Sequence, residues 1–186
     1  GRYGHAMVYC PSTGRVILFG GDYRNDTWSF DPATGLWTEL HPSGPLPPTR
    51  TYGMMVYIPS SGKIILFGGV GPTSANQACM KDTWAYDPVA NTWTELNPSG
   101  DPPYRNDGTF VYDPAGGKVI LFGGNGGTVK DDTWAYDPAA NAWAKLTPSG
   151  PVPAARLGQA SAFDPVSRRI IVFGGYGAGA TMLSDT

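Results

Sequence analysis

Thirteen aspartates, two histidines and two cysteines are the side chains of this 186-residue sequence best suited to acid–base, nucleophilic or metal chemistry. A zinc site wants Cys or His at short fixed spacings, and Cys10 and Cys79 show no CxxC pattern and are too few for a disulfide framework. His5 and His41 stand far apart in sequence, and no serine or cysteine is placed to use either as a base. Residues 125–132, NGGTVKDD, are glycine-rich but lack the Gly-Lys-Ser/Thr ending of a phosphate-binding loop. The aspartates look better suited to general acid–base work, yet most recur in register. Asp26, Asp82, Asp132 and Asp185 each precede a threonine, while Asp31, Asp87, Asp137, Asp113 and Asp164 each precede a proline. Asp22, Asp101, Asp107 and Asp131 remain outside this pattern. No catalytic set and no metal or cofactor site is expected.

The register comes from a repeat. VILFGG at 16–21 returns as IILFGG at 64–69, VILFGG at 119–124 and IIVFGG at 170–175. An arginine lies 18 residues before each first glycine (Arg2, Arg50, Arg105, Arg156), and a proline lies nine before it. Trp28 and Trp37, Trp84 and Trp93, Trp134 and Trp143 form three pairs at a separation of nine. The arginines give repeats of about 2–49, 50–104, 105–155 and 156–186. One interval is elastic: residues 22–25, 70–81, 125–131 and 176–184 differ in length between otherwise constant flanks. A period near 50 identifies a propeller or a solenoid.

Each repeat carries four short strand signals: a run ending in Tyr or Phe before the proline, the apolar run into Gly-Gly, TWSF or TWAY, and WTEL or WAKL. Apolar runs bounded by turn residues fit strands covered on both faces, and Asp-Pro with a following Gly or Asn fits a hairpin turn. The double glycine fits a strand end that needs positive φ or close backbone approach. No segment repeats apolar residues at helical spacing, and 18 prolines with 26 glycines punctuate too densely for helices. The expected fold is all-β: four-stranded antiparallel blades with tryptophans and ILF runs between neighbours, a β-propeller.

The chain resembles Kelch repeats. Arg2 to Ala6 reads Arg-x-x-His-Ala, the hydrophobic run closes in Gly-Gly, aromatic-Asp-Pro follows, and tryptophan stands six residues beyond that aspartate. The likeness is to the longer-period Kelch units, including those of galactose-oxidase-type central domains, and it covers essentially the whole chain. It departs from the pattern at the histidine, which becomes Gly53, Gly108 and Gln159 in the later copies. The resemblance implies a Kelch-type propeller with three complete blades and half of a fourth. It also implies two enzymatic alternatives, a segment of a galactose-oxidase-like oxidoreductase or of a sialic acid epimerase-like enzyme. The copper ligands and Tyr–Cys crosslink of the oxidases match no set of positions here.

Composition narrows the partners. Aromatic residues at 12% and hydrophobic residues at 41% suit a globular chain, and a net charge of −2 with both signs interspersed gives no basic stripe for nucleic acid. No run of 18 apolar residues spans a membrane. The chain starts on a first strand and stops at Ser-Asp-Thr. The expectation is therefore a part of a larger propeller, or a ring completed by self-association.

Alternating strand direction puts the elastic interval on the same face as the connection between blades, and loops on a constant scaffold carry recognition. The expected contact residues are Tyr3, Asp22, Tyr23, Arg24, Tyr52, Asn76, Gln77, Tyr104, Asn106, Asp107, Asn125, Lys130 and Tyr176. Tyrosine, asparagine and aspartate around a shallow mouth suit a protein or peptide, or alternatively a glycan. The favoured function is a non-catalytic binding or scaffold module, with the enzyme segment and a self-associating structural protein as alternatives.

Overall fold

In the computed structural model, residues 1–72 and 79–186 are described. Their strands form sheets of one kind. β1 (Ala6–Cys10), β2 (Arg15–Phe19), β3 (Thr27–Asp31) and β4 (Leu36–Leu40) pair in sequence order, all antiparallel. β5 (Met54–Ile58), β6 (Lys63–Val70), β7 (Cys79–Asp87) and β8 (Thr92–Leu96) repeat the pattern, as do β9 (Thr109–Asp113), β10 (Lys118–Phe122), β11 (Thr133–Asp137) and β12 (Ala142–Leu146). β13 (Ala160–Asp164) and β14 (Arg169–Phe173) form a two-stranded sheet. The fold is all-β, a propeller of three four-stranded blades and half of a fourth.

The hairpins follow from their turn residues. Asp31, Asp87, Asp113, Asp137 and Asp164 each accept a bond from a backbone N–H two residues on, which pins an Asx turn after the strand. The turn then closes in the left-handed region, at Gly35, Asn91, Gly117, Asn141 and Arg168. Arg168 has φ 57 with neither the freedom of glycine nor the local hydrogen bonding of asparagine.

The sheets fall into two compact units, Gly1–Asn97 and Pro98–Thr186. In the first, the two blades meet through Trp93. Its ring lies 4.9 Å from Phe19 of the neighbouring blade and 4.9 Å from Tyr86 of its own, and its indole N–H donates to the Thr27 hydroxyl at 3.1 Å. β6 is buried almost along its whole length, as a strand covered on both faces must be. Trp37 holds the same place in its repeat, packs on Phe30 at 5.0 Å and stays 44% exposed. In the second unit β13 lies against β9, and the Gln159 amide donates to Thr109 Oγ1 at 3.0 Å and to the Phe122 carbonyl at 3.2 Å.

One expectation changes. The interval 70–81 is not all loop: β6 runs on to Val70 and β7 starts at Cys79, pairing Gly69 with Met80 and Val70 with Cys79 across a register shift after Phe67. Val70 is also bridged by Thr51, so its strand geometry is held from both sides.

Candidate functional site

The recurring arginine and aspartate are one device. Arg50 sends Nη1 to the Gly68 carbonyl at 2.8 Å and both Nη atoms to the Asp82 carboxylate at 2.8 and 2.5 Å. Arg105 does the same to Gly123 and Asp132, Arg156 to Gly174 and Asp185, and Arg2 to Gly20 and Asp26. The indole N–H of Trp28, Trp84 or Trp134 adds a bond to the same aspartate at 2.6, 2.7 or 2.8 Å. Each arginine thus ties the glycine that opens the elastic interval to the aspartate that closes it.

The mouth of the interval in the first unit is built on backbone bonds. Gly21 N–H donates to the Arg50 carbonyl at 2.9 Å, Asp22 N–H to that of Tyr3 at 3.0 Å, and Arg50 N–H to that of Arg24 at 3.0 Å. These bonds bring the β2–β3 loop against the chain entering β1 and the chain entering β5. Gly21 has φ 82, and a Cβ there would stand 2.8 Å from the Tyr3 carbonyl and from the His5 backbone nitrogen, so no larger residue fits. His5 is placed as a packing partner of that glycine.

Five of the expected contact residues are gathered by these bonds. Tyr3 and Tyr52 are 51% and 41% exposed, with ring centroids 6.1 Å apart at a tilt of 56°. Partial desolvation, then the neighbouring Tyr23, Asp22 and Tyr52, push the Tyr3 hydroxyl above its ordinary pKa. Tyr23 is half-buried beside it, and Arg24 meets Asp22 at 3.7 Å in an exposed ion pair that stabilises little. Asn76 and Gln77 lie outside the described residues.

In the second unit the same joint is made by Asn106 and Asn125, whose backbones pair at 3.0 and 2.9 Å. Asn106 is 7% exposed and gives its side-chain amide to the Asn125 carbonyl at 3.2 Å, so it braces the joint from inside instead of facing a partner. Asn125 is half-buried; Lys130 reaches Thr128 Oγ1 at 3.1 Å. Tyr104 and Tyr176 are about half exposed, and Tyr176 pairs with Leu157 by backbone bonds of 3.0 and 2.8 Å. Asp107 is half-buried, and burial raises the pKa of its carboxyl above the ordinary range.

Backbone strain concentrates at these loops. Among the described residues the non-glycine positions with positive φ are Asp22, Tyr23, Tyr52, Asp107 and Ala180 here, and Asn91, Asn141 and Arg168 in hairpin turns. The left-handed conformation costs an L-residue roughly 1–2 kcal/mol, and such strain clusters where a surface is held ready for a ligand. Reading the sequence missed Gly158, which abuts Asp107. The signal was available: the position two after each arginine reads Gly4, Tyr52, Asp107 and Gly158, and two glycines of four mark a site that wants positive φ.

Among the described residues no three His, Cys, Asp or Glu side chains gather where they could hold a metal, and no helix is long and apolar enough to cross a membrane.

A family model, the KLHDC2/KLHL20/DRC7 Kelch-repeats domain, matches residues 1–185. Over 129 residues, 67% of this chain, the sequence is 30% identical to the Rho GTPase-activating protein gacHH of Dictyostelium discoideum, of whose length the chain spans 8%.

Proposed function

Because the chain belongs to the Kelch-repeat family, whose domains are generally protein-interaction scaffolds, we propose that it is a non-catalytic module recognising a protein or peptide through the loops that follow each Gly-Gly and each repeat arginine. The observation carrying this reading is where the strain lies. Asp22, Tyr23, Tyr52 and Asp107 hold left-handed backbone outside the tight Asp-Pro turns, beside exposed Tyr3, Tyr104 and Tyr176. Tyrosine supplies broad contact area at low entropic cost, and a preformed loop loses little freedom on binding.

The test is selection of binders from a displayed random-peptide library, followed by affinity measurement on Tyr3→Ala, Tyr104→Ala and Tyr23→Gly. The glycine variant keeps the left-handed turn while removing the ring. A loss of about tenfold or more in at least one variant supports the reading. Selected peptides that bind all three variants as well as the parent would overturn it.

A second reading, self-association, is favoured by the half-exposed Trp37. With Arg2, Leu18 and Trp28 it lines a mainly apolar recess of about 280 Å³. A mass above that of one chain in light scattering, returned to one chain by Trp37→Ser, would select it.

A further inference from the structure

We propose that Asp107 and Tyr176, standing over the bare backbone of Gly158, form a niche for a cationic side chain of the partner, arginine in preference to lysine. The inference rests on the protein-binding reading above and adds the chemistry of the group recognised.

The position two residues after the repeat arginine has positive φ in every copy: 61 at Gly4, 55 at Tyr52, 58 at Asp107 and 64 at Gly158. Within each unit it is linked to its counterpart in the next blade, Tyr52 N–H to the Gly4 carbonyl and Gly158 N–H to the Asp107 carbonyl. The two units then differ. A Cβ added at Gly4 would stand 2.2 Å from Thr51 Oγ1 and 3.1 Å from the Tyr52 ring, so that space is already filled. A Cβ at Gly158 would meet only Asp107 Oδ2 at 3.3 Å and Tyr176 Cδ2 at 3.8 Å, with no other heavy atom beyond its chain neighbours within 4 Å. The fold does not demand an opening here; it comes from having Gly158 where the first unit has Tyr52, with Asp107 in the place of Gly4.

The charge in that opening is unanswered. Among the described residues the Asp107 side chain has no hydrogen bond or ion pair, and burial works against its charged form. The cations of the adjoining segments are engaged elsewhere: Arg105 with Asp132 and Arg156 with Asp185, while Lys130 binds Thr128. A carboxylate half withdrawn from water without a partner is unfavourable, and a cation brought to it restores what desolvation removed. A guanidinium can place two donors on the carboxylate while its plane lies against the tyrosine ring. An ammonium offers the charge without that planar fit.

The experiment is an amide chemical-shift titration with N-acetyl-arginine amide, N-acetyl-lysine amide and neutral N-acetyl-glutamine amide. The expected result is saturable shifts at Asp107, Gly158 and Tyr176 with the arginine probe, weaker ones with lysine and none with glutamine. Asp107→Asn should reduce arginine affinity by about tenfold. Asparagine tolerates the left-handed backbone, and an unchanged spectrum elsewhere shows that the variant is folded. Equal binding of the arginine and glutamine probes, or full arginine affinity in Asp107→Asn, would overturn the niche. Display-selected peptides separate the two claims. Sensitivity to the tyrosine variants with indifference to Asp107→Asn removes the niche and keeps the binding face; indifference to the tyrosine variants removes the face.

Discussion

The guanidinium of Arg105 grips both oxygens of the Asp132 carboxylate, at 2.6 and 3.0 Å, from a position with no exposure to solvent. Removing one partner of such a pair leaves the other uncompensated, at about 3–5 kcal/mol. Asp132→Asn is expected to lower unfolding stability by that order, read as a drop in the urea midpoint with little change in slope. Asp22→Asn, which keeps a residue that tolerates the left-handed backbone and removes only an ion pair to the similarly exposed Arg24, should move the midpoint hardly at all.

The same pairs set the response to acid. Burial works to raise the Asp26 and Asp132 carboxyls, but the hydrogen bonds from arginine and tryptophan and the arginine charge outweigh it, and both end below the ordinary range. At Asp185 the bond from Arg156 leads, again downward. A carboxylate with a depressed folded pKa contributes stability that is complete above its unfolded value, near 4, and is lost as pH falls through the folded value. Thermal midpoints should hold from neutrality to about pH 4.5 and fall steeply below it. In Asp132→Asn the fall should be shallower.

Asp107 acts in the opposite sense. Its carboxyl is raised, so its charged form opposes folding above the folded pKa and that opposition vanishes as pH drops. Asp107→Asn should therefore leave stability at neutral pH unchanged or increased, while weakening arginine binding. A gain in stability paired with a loss in binding is the usual signature of a residue kept for function. Equilibrium unfolding of the variant at pH 7 checks the first half.

Trp93 and Trp37 share a place in their repeats but not a fate. Trp93→Ala empties a site walled by Phe19 and Tyr86 and strands the Thr27 hydroxyl, for an expected loss of about 3–5 kcal/mol. Trp37→Ala, on a half-exposed ring, should cost well under half as much. Comparable losses in denaturant unfolding would contradict the blade packing.

Arg168 offers a gain. It closes the β13–β14 turn at φ 57, where Gly14, Gly62 and Gly117 close the equivalent turns of the other blades. Arg168→Gly should stabilise by up to about 1 kcal/mol, measured by the same unfolding midpoints.

Blade count, strand order and the role of Gly-Gly were legible because they live in local chemistry that recurs four times. The arginine–aspartate pairs were not. Their sequence separations are 24, 32, 27 and 29, since the variable interval lies between the partners, and a contact without a constant spacing leaves no periodic trace. The loops proposed as a binding face could be picked out in the sequence, but the placement of their individual side chains could not. Asn106 and Asp107 are adjacent and equally polar, yet the first turns inward onto Asn125 and the second flanks the opening at Gly158, a distinction made by one positive φ. The strand extension to Val70 and Cys79 was hidden by the glycines and proline around it.

Because each arginine joins the glycine before the variable interval to the aspartate after it, the two ends of every loop are anchored on a footprint that is the same in all four repeats. Closing a longer loop over a fixed gap costs only a logarithm of its length, so sequence inserted there is nearly free of penalty to the blade beneath. The molecule is thus a natural grafting frame. Foreign segments inserted between Val70 and Cys79, or between Asn125 and Val129, would keep the pairs at their ends and inherit a ready-made anchorage, so loop sequence can change without first rebuilding the fold.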